Sequence, residues 1–190
     1  RVWERTVELV EANENLQKGI VERAKTQEKM EYIAYHDSMT GLPNRLLFSQ
    51  LLSEAVYDAS RAGKMLAVLF LDIDSFKMIN DTMGHAVGDQ LLQEVAERLT
   101  NSLRREDVVA RFGGDEFVVL VTYLGEEEEK AREELHKIAT KLLSVLSQPY
   151  HFGSHYHSFT HICSASIGGT LFKKKKKTVD DILKESDSAM

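Results

Sequence analysis

Arg111-Phe112-Gly113-Gly114-Asp115-Glu116-Phe117 lies between two apolar runs, Val108-Val109-Ala110 before it and Val118-Val119-Leu120-Val121 after it. Two β-type runs separated by a glycine pair read as a tight hairpin. Two adjacent acids where the second strand begins add nothing to the stability of such a turn. They suit a metal, and the bare glycines let a ligand reach the backbone. Upstream, Met65 to Ile73 (MLAVLFLDI) is a continuous apolar run, as expected of a buried strand, and it ends in Asp72-Ile73-Asp74. Side chains alternate along a strand, so Asp72 and Asp74 share a face if the strand continues. If the hairpin lies beside this strand, three or four acids converge at one sheet edge.

Around these strands the pattern alternates. Helices are predicted over Leu46 to Ala62, Ser75 to Asp81, Gly88 to Leu103, Glu126 to Ser147 and Val179 to Met190, and a further strand over His157 to Leu171. In the Gly88 to Leu103 helix, Leu91, Leu92, Val95, Ala96 and Leu99 fall on one face. The order β-α-α-β-β-α-β-α predicts an α+β domain over residues 36–190, its sheet containing an antiparallel hairpin with helices packed on it.

Residues 1–35 differ from the rest. Val2, Thr6, Leu9, Asn13, Leu16, Ile20, Arg23, Gln27, Met30 and Ala34 are spaced alternately by four and three, a mostly apolar heptad seam. A short parallel coiled coil that dimerises the chain is the preferred reading; a single solvated helix is the alternative. Asn13 on the seam would cost stability and fix register. His36 to Arg45 (HDSMTGLPNR) breaks the helix with Gly41 and Pro43.

A chain of 190 residues, 43% of them hydrophobic, has room for one sizeable domain and an extension. It begins with Arg1, as a piece of a longer protein would. A single cysteine, Cys163, excludes an internal disulfide and fits a reducing compartment. No apolar run approaches the ~20 residues of a membrane helix, and there is no signal-peptide pattern. A cytoplasmic location is therefore expected, any membrane tether lying outside this chain. The net charge of −6 argues against a nucleic-acid-binding surface. Phosphates can still bind an acidic protein through a metal. Lys173 to Lys177 reads first as a solvated loop and second as an anion site.

The chemistry follows from the acids. Asp72, Asp74, Asp115 and Glu116 offer only oxygen, which suits Mg²⁺ or Mn²⁺ and leaves coordination sites for substrate phosphates. No Cys/His cluster points to zinc. Ser75-Phe76-Lys77 opens a helix whose free N–H groups can receive phosphate, with Lys77 adding charge. Asn80 and Asp89 flank Gly84-His85. A carboxylate accepts from guanine N1–H and N2–H₂, and an amide can serve donor or acceptor edges, so the two together favour guanine over adenine. Each alone is a common turn or cap residue. Arg104 and Asp107, three apart, either pair with each other or leave Arg104 to bind guanine O6 and N7.

The motifs HDSMTGLPNR (36–45), FLDIDSFKMINDTMGHAVGD (70–89) and RFGGDEF (111–117) closely resemble the GGDEF family of diguanylate cyclases, and the resemblance covers residues 36–190. It implies a fold like adenylyl cyclase catalytic domains and polymerase palms, with a central mixed or antiparallel five-stranded sheet flanked by helices. It implies condensation of two GTP into cyclic di-GMP with release of two pyrophosphates, and two Mg²⁺ or Mn²⁺ ions per active site. By the resemblance, Asp72, the Ile73 carbonyl, Asp115 and Glu116 are metal ligands. Asp115, Glu116 and Lys77 are catalytic, Asp115 standing near the attacking 3′-hydroxyl. The Phe76 backbone and Lys77 contact phosphate, Asn80 and Asp89 read guanine with His85 beside them, and Gly113 and Gly114 admit the nucleotide. Arg104 and Asp107 match a product-inhibition site of the form RxxD. Each domain holds one GTP, so the enzyme is expected to act as a homodimer. An upstream sensor and a downstream phosphodiesterase domain are expected outside this piece. The alternative is a non-catalytic domain that binds GTP or cyclic di-GMP and regulates a longer protein. The chain stops at Ser186-Asp187-Ser188-Ala189-Met190, short of the family's Tyr-x-Ala-Lys segment, so weaker GTP binding is expected of this piece.

Overall fold

The computed structural model describes residues 2–154, 157–173 and 179–188. It divides into two units, Arg1–His36 and Asp37–Met190. The first is one helix, α1 (Val2–Tyr35). Of its seam, Asn13, Leu16, Ile20, Arg23, Gln27, Met30 and Ala34 are exposed; the side chains of Val2, Thr6 and Leu9 lie outside the described set.

The second unit runs α2 (Arg45–Ala62), β1 (Leu66–Ile73), α3 (Phe76–Met83), α4 (His85–Ser102), β2 (Val108–Gly113), β3 (Glu116–Val121), α5 (Glu128–Leu146), β4 (Tyr150–Ser154), β5 (His157–His161), β6 (Ala165–Phe172) and α6 (Val179–Ser188). The main sheet has the order β2-β3-β1-β6, every neighbouring pair antiparallel. β4 and β5 form a separate antiparallel pair.

The expected five-stranded sheet is thus corrected to four strands plus a two-stranded hairpin. The alternation over 157–171 spans two strands, because residues 162–164 leave the ladder. There Cys163 turns inward while Ile162 stays exposed. The chain crosses at this bend from the small hairpin to the edge of the main sheet.

β1 explains the whole arrangement. Ala67, Leu69, Leu71 and Ile73 enter one core with Leu91, Leu92, Val95 and Leu99 of α4 and Leu142 and Leu146 of α5. Leu66, Val68 and Phe70 enter a second core with Phe48, Leu52 and Val56 of α2 and Ile182 and Leu183 of α6. A strand covered on both faces has no polar face, hence the unbroken apolar run. The helices are stopped and capped locally. The Asn44 side chain accepts from Leu46 N at 3.0 Å and Leu47 N at 3.1 Å, and Gly63 (φ 70°) ends α2 in the left-handed region. Arg98 receives the end of α5. Its guanidinium donates to the carbonyls of Val145, Gln148 and Pro149 and lies 3.7 Å from the centre of the Tyr150 ring. Lys173 reaches the Glu126 carbonyl; Lys174 to Lys177 lie outside the described residues.

Candidate active site

The site lies where β1 ends beside the β2–β3 hairpin. Asp72 is the direct cross-strand partner of Glu116. The hairpin turns through Gly114 and Asp115, and the ladder shifts register between Arg111 and Gly113, a bulge that re-aims the chain at the tip. Gly113 (φ 142°) and Gly114 (φ 53°) take conformations that side chains disfavour. The turn proper is therefore Gly114-Asp115, one residue later than a Gly-Gly turn.

Three of the four expected acids gather here. Asp72 is half-buried. Burial first, and then the carboxylates of Asp115, Glu116 and Asp74, push its carboxyl above the usual range. Asp74 does not complete the set. Its carboxylate accepts from the hydroxyls of Ser164 and, at 2.8 Å, Ser166, while its N–H donates to the Ser164 carbonyl at 3.0 Å. The strand ends at Ile73 and Ser75 turns left-handed (φ 60°), so the shared face expected for Asp72 and Asp74 is lost and Asp74 fastens β1 to β6.

Among the described residues no three His, Cys, Asp or Glu side chains stand together as a ready metal site. The edge offers the Asp72, Asp115 and Glu116 carboxylates and main-chain carbonyls, with no ion pair to any of the three among the described residues. Oxygen-only donors without an ion-pair partner among the described residues suit a hard divalent cation.

At the start of α3, Ser75 makes no side-chain capping bond. Phe76 is half-buried, and Lys77 is exposed and forms no ion pair among the described residues. Asn80, in α3, sets its side chain against Gly88 of α4, with its Oδ1 buried and without a hydrogen-bond partner among the described residues. His85 and Asp89 are exposed on the first turns of α4.

Two residues absent from the expected site hold it together. Arg111 is only 7% exposed. Its Nη2 donates to the Gly114 carbonyl at 2.7 Å, its Nε to the same oxygen at 3.2 Å, and its Nη1 to Asp37 Oδ1 at 2.9 Å. Its backbone N–H donates to the Pro43 carbonyl at 3.0 Å. Asp37 also accepts from Thr40 N at 2.9 Å and Thr40 Oγ1 at 2.7 Å. Burial alone would raise its carboxyl, but the Thr40 and Arg111 bonds outweigh burial and hold it below the usual range. Segment 37–43 is thereby tied to the hairpin tip. On the other face Phe112 meets Phe48 and Phe70 edge-on, with ring centres 5.4 and 5.7 Å apart. The signal in the sequence was a lone arginine inside an apolar strand.

Arg104 and Asp107 stand at the opposite end of β2. Their side chains do not pair with each other. Arg104 Nη2 donates to Glu134 Oε1 at 2.6 Å, while Asp107 accepts from Arg104 N and from Thr122 N. They border a cavity of about 430 Å³ shared with Glu134, Lys137 and Lys141.

Comparison with known proteins bears on this geometry. The profile of the family described as "Diguanylate cyclase, GGDEF domain" matches residues 34–190. The bifunctional diguanylate cyclase/cyclic di-GMP phosphodiesterase MucR of Pseudomonas aeruginosa is 39% identical over 167 residues, 88% of this chain and 23% of MucR. The GGDEF domain structure of TpbB from the same organism superposes with a TM-score of 0.73 at 39% identity, covering 81% of this chain and 85% of that one. The coiled coil and GGDEF domain of DgcB from Caulobacter crescentus, in complex with c-di-GMP, gives 0.76 at 25% identity, covering 95% and 91%. The chain spans between 19% and 34% of the length of the curated relatives MucR, TpbB and NbdA.

Proposed function

This chain belongs to the GGDEF family of diguanylate cyclase domains, and on that premise we propose that it condenses two GTP into cyclic di-GMP. The observation that carries the reading is the pairing of Asp72 with Glu116 beside the Asp115 turn. Asp72, Glu116, Asp115 and the Ile73 carbonyl hold Mg²⁺ or Mn²⁺. When bound, two such ions polarise the α-phosphate, lower the pKa of the 3′-hydroxyl and neutralise the departing pyrophosphate. Phe76 N–H and Lys77 bind phosphate oxygens, and Asn80 and Asp89, with His85 near them, receive the guanine. Asp115 accepts the 3′-hydroxyl proton. The freed oxygen bonds to the α-phosphorus of the facing GTP and the bond to pyrophosphate breaks. A second such transfer closes the ring, so two GTP give one cyclic di-GMP and two pyrophosphates.

One domain presents one GTP, so two must face each other, and positioning supplies much of the rate. The exposed seam of α1, with Leu16 at 66%, Ile20 at 65% and Met30 at 62% exposure, pairs two chains and raises the effective concentration of the second site. Replacing Leu9, Leu16 and Ile20 with polar residues lowers activity per domain in dilute protein; unchanged activity would refute the dimer. Product binds Arg104 and Asp107 and inhibits. The domain works in the cytoplasm, joined to sensor or phosphodiesterase domains beyond this chain. Among the described residues no helix is long and apolar enough to cross a membrane.

A second reading, a regulatory domain that binds nucleotide without turnover, is favoured by one observation: the Arg104 cavity lies apart from the acid cluster, at the other end of β2. Incubation with GTP and Mg²⁺ separates the two. Pyrophosphate and cyclic di-GMP support the enzyme; bound cyclic di-GMP without turnover supports the regulator.

A further inference from the structure

Gly88 sits in the first turns of α4, fully inside the helix and without a left-handed φ. The backbone there does not ask for glycine, and in a helix interior glycine costs about 1 kcal/mol relative to alanine. Space does ask for it. A Cβ at position 88 would lie 1.9 Å from Asn80 Oδ1, 3.0 Å from Asn80 Cγ and 3.3 Å from Phe76 Cζ. The Asn80 carboxamide therefore occupies the place of the missing side chain. Its Oδ1 is buried there without a hydrogen-bond partner among the described residues, so the fit against Gly88 positions this end of the amide.

We infer that Gly88 is a specificity-determining positioning residue: its bare Cα makes the slot between α3 and α4 that aims the Asn80 amide at the guanine base. The inference rests on the reading of Asn80 as a guanine contact. Alanine at 88 meets the far end of a flexible side chain, which can rotate away, and Phe76 need give only a few tenths of an ångström. Gly88→Ala therefore folds, with a helix propensity gain offsetting the repacking, while the amide leaves its slot.

The test uses the whole chain and 3′-deoxy-GTP with Mg²⁺, a nucleotide that lacks the attacking hydroxyl and cannot turn over. Gly88→Ala weakens binding about tenfold, the scale of one lost hydrogen bond to the base. Asn80→Ala weakens it similarly. The double variant is no weaker than either alone, because Gly88 acts through Asn80. The Asn80 side-chain NH₂ resonance moves in Gly88→Ala without nucleotide, a signature that general destabilisation would not produce. Unchanged affinity in Gly88→Ala, additive losses in the double variant, or an unmoved Asn80 resonance would each overturn the inference. Failure of the unsubstituted chain to bind would instead sink the GTP reading, and with it the guanine role of the slot. Displacement of the Asn80 resonance would still support its steric part.

Discussion

The two ends of the β2–β3 hairpin each hold an arginine against a carboxylate, and they do so in opposite ways. At the tip, Arg111 and Asp37 are 7% and 21% exposed, and the guanidinium is also committed to the Gly114 carbonyl. At the base, Arg104 and Glu134 are 54% and 42% exposed. A buried pair cannot lose one partner cheaply, because the other is stranded in a poorly solvated place. An exposed pair is exchangeable, since water replaces either partner at little cost. The first arginine is thus part of the frame that shapes the turn. The second can exchange Glu134 for water or another acceptor at little cost.

The contrast can be broken at its strongest point first. Glu116→Gln at the tip removes turnover by roughly 10⁴-fold, the scale of losing one member of a catalytic unit. The melting temperature hardly changes, because Glu116 is exposed; pyrophosphate release measured beside a thermal melt checks both, and retained turnover would contradict its metal role. Next, Arg111→Ala lowers stability by about 3–5 kcal/mol, roughly 10 °C of melting temperature in a domain of this size. Arg104→Ala costs less than about 1 kcal/mol. Equal losses would erase the distinction between frame and responder.

The same contrast has a pH signature. Asp37 is held below its ordinary range in the folded domain, so its stabilisation is present above the unfolded carboxyl pKa and fades as pH falls through the depressed folded value. Thermal melts from neutral to strongly acid pH should show Asp37→Asn with a flatter acid limb than the parent chain, but less stable at neutral pH. The smallest effect is at the base. Glu134→Ala frees Arg104 and raises affinity for cyclic di-GMP about two- to fivefold, matching a surface pair of under about 1 kcal/mol; titration calorimetry reads it, and weaker binding would show that Glu134 helps to hold the ligand.

Much of this was legible in local sequence. The unbroken run of β1 announced a strand buried on both faces, and the glycine pair between two apolar runs announced the hairpin that sets Glu116 beside Asp72. What escaped was set by long-range partners. Asp74 belongs to Ser164 and Ser166, 90 and 92 residues away, and Arg111 to Asp37, 74 residues away. No periodicity reports such pairings. The alternation over 157–171 concealed two strands because an alternating pattern does not mark a bend, and Cys163 turning inward preserves the apolar rhythm through it. Gly88 stood only as the first residue of a predicted helix, and the position of Asn80 shows what it leaves room for.

β3 has one further consequence. Phe117, Val119 and Val121 enter one core, while Val118 and Leu120 enter the other. Most sheets punish a one-residue slip by turning apolar side chains into water. Here a slip would bury much the same surface, so polarity does not police the alignment of β3 with β1. The tip instead fixes β3 against β2: two turn residues between Gly113 and Glu116, with the Gly114 carbonyl held by Arg111, set Glu116 beside Gly113 on one side, while Asp72 faces it on the other. The turn is therefore constrained in length as well as in its two positive-φ glycines: a single inserted residue would shift β3 against β2 while burying much the same surface.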